Sequence, residues 1–140
     1  MKQMLMLAVL IAISGCAAKD GTRKPTEEAI QNQAIRDFIE VRGLESLERI
    51  RTTERDGWKT LTESFVIYKA RRKHYLMEFA RPCYEIRDNR EITPDYRAHT
   101  RVVQAKFDTL RGCRIGYIYA LSPDEAEELE NIGEPPGSRN

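Results

Sequence analysis

The chain has 140 residues and a formal charge of +1, with 32% of its residues charged and both signs interspersed. That balance argues against a nucleic-acid binder, which shows a clear basic excess, and against a purely electrostatic grip on a membrane. The length suits one domain, with neither an internal repeat nor a glycine-rich phosphate loop of the Walker or Rossmann type.

The first sixteen residues place Lys2 ahead of a mostly apolar stretch from Met4 to Ile13, followed by Ser14, Gly15 and Cys16. A cationic start, a short apolar run and small residues make a secretory signal peptide. A membrane-spanning helix would need about 20 apolar residues, and Lys19, Asp20, Arg23 and Lys24 arrive too soon. An ordinary secretory signal cut near Ala17-Ala18 is one reading. The other follows from Ile13-Ser14-Gly15-Cys16, which resembles the lipobox of bacterial lipoproteins. That resemblance implies cleavage before Cys16, a thioether-linked diacylglycerol on its sulfur, and acylation of the new amino group by a chain such as palmitate. Ala17 stands where the enteric sorting rule has an aspartate for inner-membrane retention, so the resemblance implies the periplasmic leaflet of the outer membrane. Buried acyl CH₂ groups contribute about 0.8 kcal/mol each, so two or three chains hold a small domain permanently. Residues 1–15 are then the signal peptide, and the mature chain carries equal numbers of acids and bases once Lys2 is gone.

Residues 16–25 read as a flexible tether. Thr26 is a helix N-cap candidate, with Glu27 and Glu28 in the first turn. Ile30, Ala34, Ile35 and Phe38 then mark one helical face, and Gly43 is a plausible stop. The spacing predicts a helix over about residues 26–37, and Phe38-Ile39-Glu40-Val41 reads equally as its continuation or as an early strand. An edge strand is expected across about 47–55, turning at Asp56-Gly57 into a hairpin with residues 58–61. Ser64 to Tyr68 and His74 to Ala80 are the strongest strands, joined as a hairpin through the basic link Lys69 to Lys73.

Pro82 ends that hairpin, and residues 84–98 read as irregular. A strand is expected from Arg101 to Phe107, a turn at Gly112, and a long strand from Cys113 to Leu121. Strict alternation would put Ile115, Tyr117, Tyr119 and Leu121 on one face and Arg114, Gly116, Ile118 and Ala120 on the other. Ser122-Pro123-Asp124-Glu125 opens a final helix to about Leu129 or Glu130. Residues 131–140 carry the composition of a disordered tail. The whole is expected to be an α+β fold, a small curled antiparallel β-sheet with an N-terminal helix and a short C-terminal helix, forming a single domain over residues 26–130.

With Cys16 lipidated, Cys83 and Cys113 remain as an even pair in an oxidising compartment, and a bond between them is expected. No CxxC motif supports a redox role. The basic run Lys69 to Lys73 either touches anionic lipid or polymer, or simply blunts an exposed turn. His74 and His99 show no metal-ligand spacing with Glu78, Asp88 or Asp95, and neither a metal nor a cofactor is expected. Ser64 lacks elbow glycines, and Glu78 would face solvent in an alternating strand. The aromatics Trp58, Phe65, Tyr68, Tyr75, Phe79, Tyr117 and Tyr119 read mostly as core, unless several tyrosines share an exposed partner patch.

Tyr75 to Phe79 leading to Cys83, and Gly112 to Ile115 leading to Leu121 through Ala126, resemble a proteobacterial lipoprotein family of unknown function. The resemblance implies an envelope location and a Cys83–Cys113 bond, and no activity. The expected role is a non-enzymatic binding or assembly module, lipid-anchored and facing the periplasm. It would meet an envelope protein or cell-wall partner and no nucleic acid. The alternative is a periplasmic lysozyme inhibitor-like protein, by analogy of architecture alone.

Overall fold

A computed structural model describes residues 26–52, 57–70, 72–86 and 102–132. The expected signal peptide, Cys16 and the expected tether lie outside the described residues, as do Asp56, Arg71, Asp88, Asp95, His99, Arg101 and residues 133–140 of the expected tail. Among the described residues no helix is long and apolar enough to cross a membrane.

The first helix, α1, is Glu27–Arg42. Thr26 caps it as expected, its hydroxyl accepting the Ala29 amide at 3.2 Å. The ambiguous residues 38–41 are helical. Gly43 stops the helix in the left-handed region at φ 61°. There its N–H reaches the Glu40 carbonyl and the Leu44 N–H reaches that of Ile39, the paired bonds of a Schellman ending.

Among the described residues seven strands follow: β1 Arg49–Arg51, β2 Gly57–Thr60, β3 Phe65–Ala70, β4 Lys73–Phe79, β5 Val102–Gln104, β6 Thr109–Leu110 and β7 Cys113–Leu121. A 3₁₀ turn, Tyr84–Ile86, lies between β4 and β5, and helix α2, Pro123–Asn131, closes the order. Five strands form a curled antiparallel sheet in the order β2-β3-β4-β7-β6, a half-barrel, and β1 pairs β5 in a separate ribbon. The fold class read from the sequence is therefore the observed one.

Three local expectations are corrected. Of the strand expected over 47–55, β1 occupies Arg49–Arg51 and pairs with β5 through Ile50↔Val103 rather than with β2, while residues 53–56 lie outside the described residues. β2 instead forms its hairpin with β3. The strand over 101–107 ends at Gln104, because Lys106 takes a left-handed φ of 69° that turns the chain.

The third correction concerns the faces of β7. Glu78 of β4 faces Tyr117, but the next residue, Phe79, faces Ile115, so Gly116 is an extra residue and the pair carries a β-bulge. One added residue shifts the two-residue period. Ile115 and Ile118 consequently join one core, while Tyr119 and Leu121 join the other. A glycine within a strand pattern is a bulge signal, and this one reverses half of the alternation.

Two cores result. Inside the curl lie Val66, Tyr68, Tyr75, Met77, Phe79, Ile115 and Ile118, covered by Ile50, Val103, Leu110 and Ile86. Between the sheet and the helices lie Phe65, Ile67, Leu76 and Leu121 against Ile35, Phe38, Ala126 and Leu129. The middle strands β3 and β4 are therefore buried on both faces, and this is why they read as nearly continuous apolar runs.

α2 is held by a capping box, Ser122 accepting from the Glu125 amide while the Glu125 carboxylate takes the Ser122 N–H. It extends to Asn131, one residue beyond the expected domain end. Gln31 donates to the Ile132 carbonyl at 2.7 Å and Arg42 pairs with Glu128 at 2.6 Å, so the two helices brace each other across the sheet.

Candidate functional site

Cys83 and Cys113 are bonded, with their Cα atoms 5.7 Å apart. The Glu85 carboxylate stands 3.2 Å from the Cys113 sulfur. This trio gathers as metal ligands would, but sulfurs joined to each other cannot serve as thiolates. Of the basic hairpin link, Lys69 pairs with Glu130, which also holds Lys59 at 3.0 Å, while Arg72 and Lys73 are exposed. Burial pushes the Glu130 carboxyl up, and hydrogen bonds and charge from Lys69 and Lys59 outweigh it, leaving the group below its ordinary range. Ser64 is buried, its amide bonded to the Thr62 hydroxyl. Glu78 is largely covered and pairs with Arg36 at 3.4 Å rather than standing free in solvent. His74 is partly buried at the end of β4. Among the described residues, these side chains do not converge with one another into a catalytic set.

The feature that does gather is a cleft of about 470 Å³ at the bulge, lined by residues 46–49, residues 104–107, Gly116 and Tyr117. Its shape follows from how the outer edge of β7 is covered. At one end Lys106 donates to the Ile115 carbonyl at 2.8 Å and the Ile115 amide donates to Asp108 at 3.1 Å. At the other, Leu47 donates to the Ile118 carbonyl at 2.7 Å and Ser46 bridges Tyr119. Between these two bridges the flanking segments make no backbone hydrogen bond to Gly116 or Tyr117, and that gap in the wall is the cleft.

Its walls are tied down. The Ala105 amide donates to the Glu48 carbonyl at 2.8 Å, joining the two flanking segments to each other. The turn after β5 is clamped by Asp108, whose carboxylate accepts the Gln104 amide at 2.7 Å while its own amide returns to the Gln104 carbonyl at 3.0 Å. Such a clamp is what lets Lys106 remain left-handed, a conformation that costs a non-glycine residue about 1 kcal/mol.

The side chains here are unusual for an exposed turn. Phe107 is 72% exposed and Tyr117 46% exposed, and both line the cleft. Lys106 lies 5.8 Å from the Tyr117 ring centre, and Tyr117 stacks on Tyr119 at 6.2 Å. Burial raises the Tyr119 hydroxyl above its ordinary pKa, with the charges of Glu78 and Tyr117 adding to it, so it stays protonated near neutrality. An exposed phenylalanine forgoes roughly 1.5–3 kcal/mol of burial, and rigid exposed rings beside cations are what recognition surfaces use. Most of the other strand aromatics are core: Phe65, Tyr68, Tyr75 and Phe79 are buried, and Trp58 packs on Tyr68 at 4.5 Å. The tyrosine patch weighed from the sequence thus narrows to Tyr117 and Tyr119, with Phe107 added.

A second depression of about 490 Å³ lies where α1 begins, lined by Glu27, Glu28, Gln31, residues 60–63 and Ile86. Two hydrogen bonds cross it: Glu28 accepts the Glu63 amide, and Thr62 donates to Asn32. Those bonds fasten α1 to the turn before β3 and give the Glu28 carboxylate a structural role there.

Phe107, Lys106 and Gly116 were not singled out as site residues by sequence. The available signals were Gly116 inside a strand and the Asp108 turn; the meeting of three distant segments had none. Neither curated proteins nor solved structures gave a match to this chain. A family model does match residues 1–132, and the chain belongs to that family, DUF6491, a family of unknown function.

Proposed function

We propose that this chain is a lipid-anchored envelope protein whose domain binds another envelope component, without catalysis, through the cleft at the β7 bulge. The observation that carries the reading is the gap in the wall along β7, flanked by exposed Phe107 and Tyr117 and by the cations Arg49 and Lys106. These groups supply stacking and charge. The Cys83–Cys113 bond supports an oxidising compartment, and the lipobox-like segment ending at Cys16 supports the anchor.

Ten residues, 17–26, separate Cys16 from the start of α1 at Glu27, a length that reaches at most about 35 Å when extended. The start of α1 is fastened to the turn before β3, whereas Arg72 and Lys73 lie at the opposite end of β3 and β4. The basic hairpin end therefore lies at the other end of the β3–β4 hairpin from the start of α1, which supports its solvated reading.

In-cell photocrosslinking tests the reading. A photoreactive residue replacing Phe107 in the full-length protein is expected to give a discrete crosslinked species. One replacing Val41, 82% exposed on α1, is expected to give none. Equal labelling from both positions, or none from position 107, would overturn the cleft as the binding surface. A lysozyme-type hydrolase captured at position 107 would establish the inhibitor reading instead.

A further inference from the structure

The cleft's own chemistry narrows what it can hold; this step rests on the cleft being the binding surface proposed above. Among the described residues neither Arg49 nor Lys106 has an ion-pair partner, while Arg36, Arg42, Lys59 and Lys69 all do. Two cations against the single acid Glu48 make the lining complementary to an anion. Beside them stand two rings with exposed surface, and at the rim the hydroxyl of Ser46 and the side-chain amide of Gln104. The ligand must therefore combine an apolar face, a carboxylate and several hydrogen-bonding groups in one compact body.

Its outline is equally restrictive. The bridges Leu47–Ile118 and Lys106–Ile115 close both ends of the gap, so an extended peptide would collide with them, whereas a single ring system fits between. A volume of about 470 Å³ holds a sugar ring with its substituents. We propose that the cleft at Gly116 and Tyr117 binds a carboxylate-bearing saccharide, its C–H face against Phe107 and its carboxylate on Arg49 and Lys106. Sugar hydroxyls meet Ser46 and Gln104, and the left-handed turn at Lys106 sets the spacing between ring and cation.

Glucuronate and glucose make a matched pair of probes, differing in whether C6 is a carboxylate or a CH₂OH. The full-length lipidated protein in detergent micelles, labelled with ¹⁵N, is titrated with each while the amides of Lys106, Phe107 and Tyr117 are followed. Glucuronate is expected to shift all three, with glucose binding at least tenfold more weakly. Arg49→Ala should bring the two sugars to within about threefold of each other, and Phe107→Ala should weaken both at least fivefold. Lys106→Asn keeps a residue tolerant of the left-handed turn and should act like Arg49→Ala. Equal affinity for the two sugars, or shifts confined to other regions, would overturn the proposal. If triglutamate moves the three amides and neither sugar does, the saccharide class falls while the cleft survives as a binding surface. If none of the three probes moves them and no crosslink forms from position 107, both readings fall.

Discussion

Gly116 of β7 approaches Glu78 of β4 so closely that a Cβ on Gly116 would lie 3.3 Å from the Glu78 carbonyl oxygen, and equally near the Ala80 amide. Both contacts are backbone atoms where the end of β4 pairs with β7, so neither can swing aside as a side chain could. The bulge thus depends on the absence of a side chain at this position. Gly116→Ala should lower stability by about 1 kcal/mol net, the overpacking cost reduced by the smaller chain entropy lost on folding. Urea unfolding of the wild type and variant checks this; an unchanged midpoint would mean the strands separate without cost.

The Cys83–Cys113 bond closes a separation of 30 residues, which the chain-entropy relation converts to about 3–4 kcal/mol. A Cys83→Ala, Cys113→Ala double variant should lose about that much in chemical denaturation. It should also loosen the β6–β7 turn, where Arg111 and Gly112 both have positive φ. A loss below about 1 kcal/mol would show that packing by Leu110 and Ile115 suffices without the chain-entropy term.

The helix ends were the most legible part of the sequence. Thr26, Gly43 and Ser122 each act through bonds to the nearest few residues, so composition alone fixes them. The β3–β4 hairpin and the bounds of β7 were legible for a similar reason: apolar, β-branched and aromatic residues cluster within one short span. What could not be read were relations between distant segments. Ile50 finds Val103 across fifty residues of chain, and nothing local to β1 prefers that partner to β2. The β7 faces were misassigned because alternation assumes one residue per rung, and Gly116 breaks that count. The candidate cleft inherits both difficulties, since it exists only where the β1 approach, the Lys106 turn and the bulge come together.

Ser122→Ala tests the cap of α2. It removes the acceptor for the Glu125 amide and leaves only the backbone half of the capping box, the Ser122 N–H to the Glu125 carboxylate. A loss of about 1 kcal/mol is expected, because Ala126 and Leu129 seal the helix-side core. Helix α2 should also show the earliest loss of amide protection in hydrogen exchange. Unchanged protection there would mean that packing alone holds the helix.

Glu130 supplies a pH dependence with a definite sign. Its folded carboxyl titrates below its ordinary value because Lys69 and Lys59 hold the charged form. The stabilisation is therefore complete above the unfolded carboxylate pKa of about 4.3, and it disappears as pH falls through the lower folded value. With both lysines partly exposed, the contribution is about 1 kcal/mol or less. The stability difference between wild type and Glu130→Gln should be present at neutral pH and vanish in strong acid. A difference that grows on acidification would contradict the ion-pair account.

Attachment at Cys16 is the claim on which the envelope reading stands, and labelled palmitate tests it most directly. Cells expressing the full-length chain are grown with the label, beside cells expressing Cys16→Ser. The account predicts label on the wild-type polypeptide and its complete loss in the variant, with wild-type protein recovered in the membrane fraction. Wild-type polypeptide without label and free in the cytosol, or label persisting in Cys16→Ser, would contradict it.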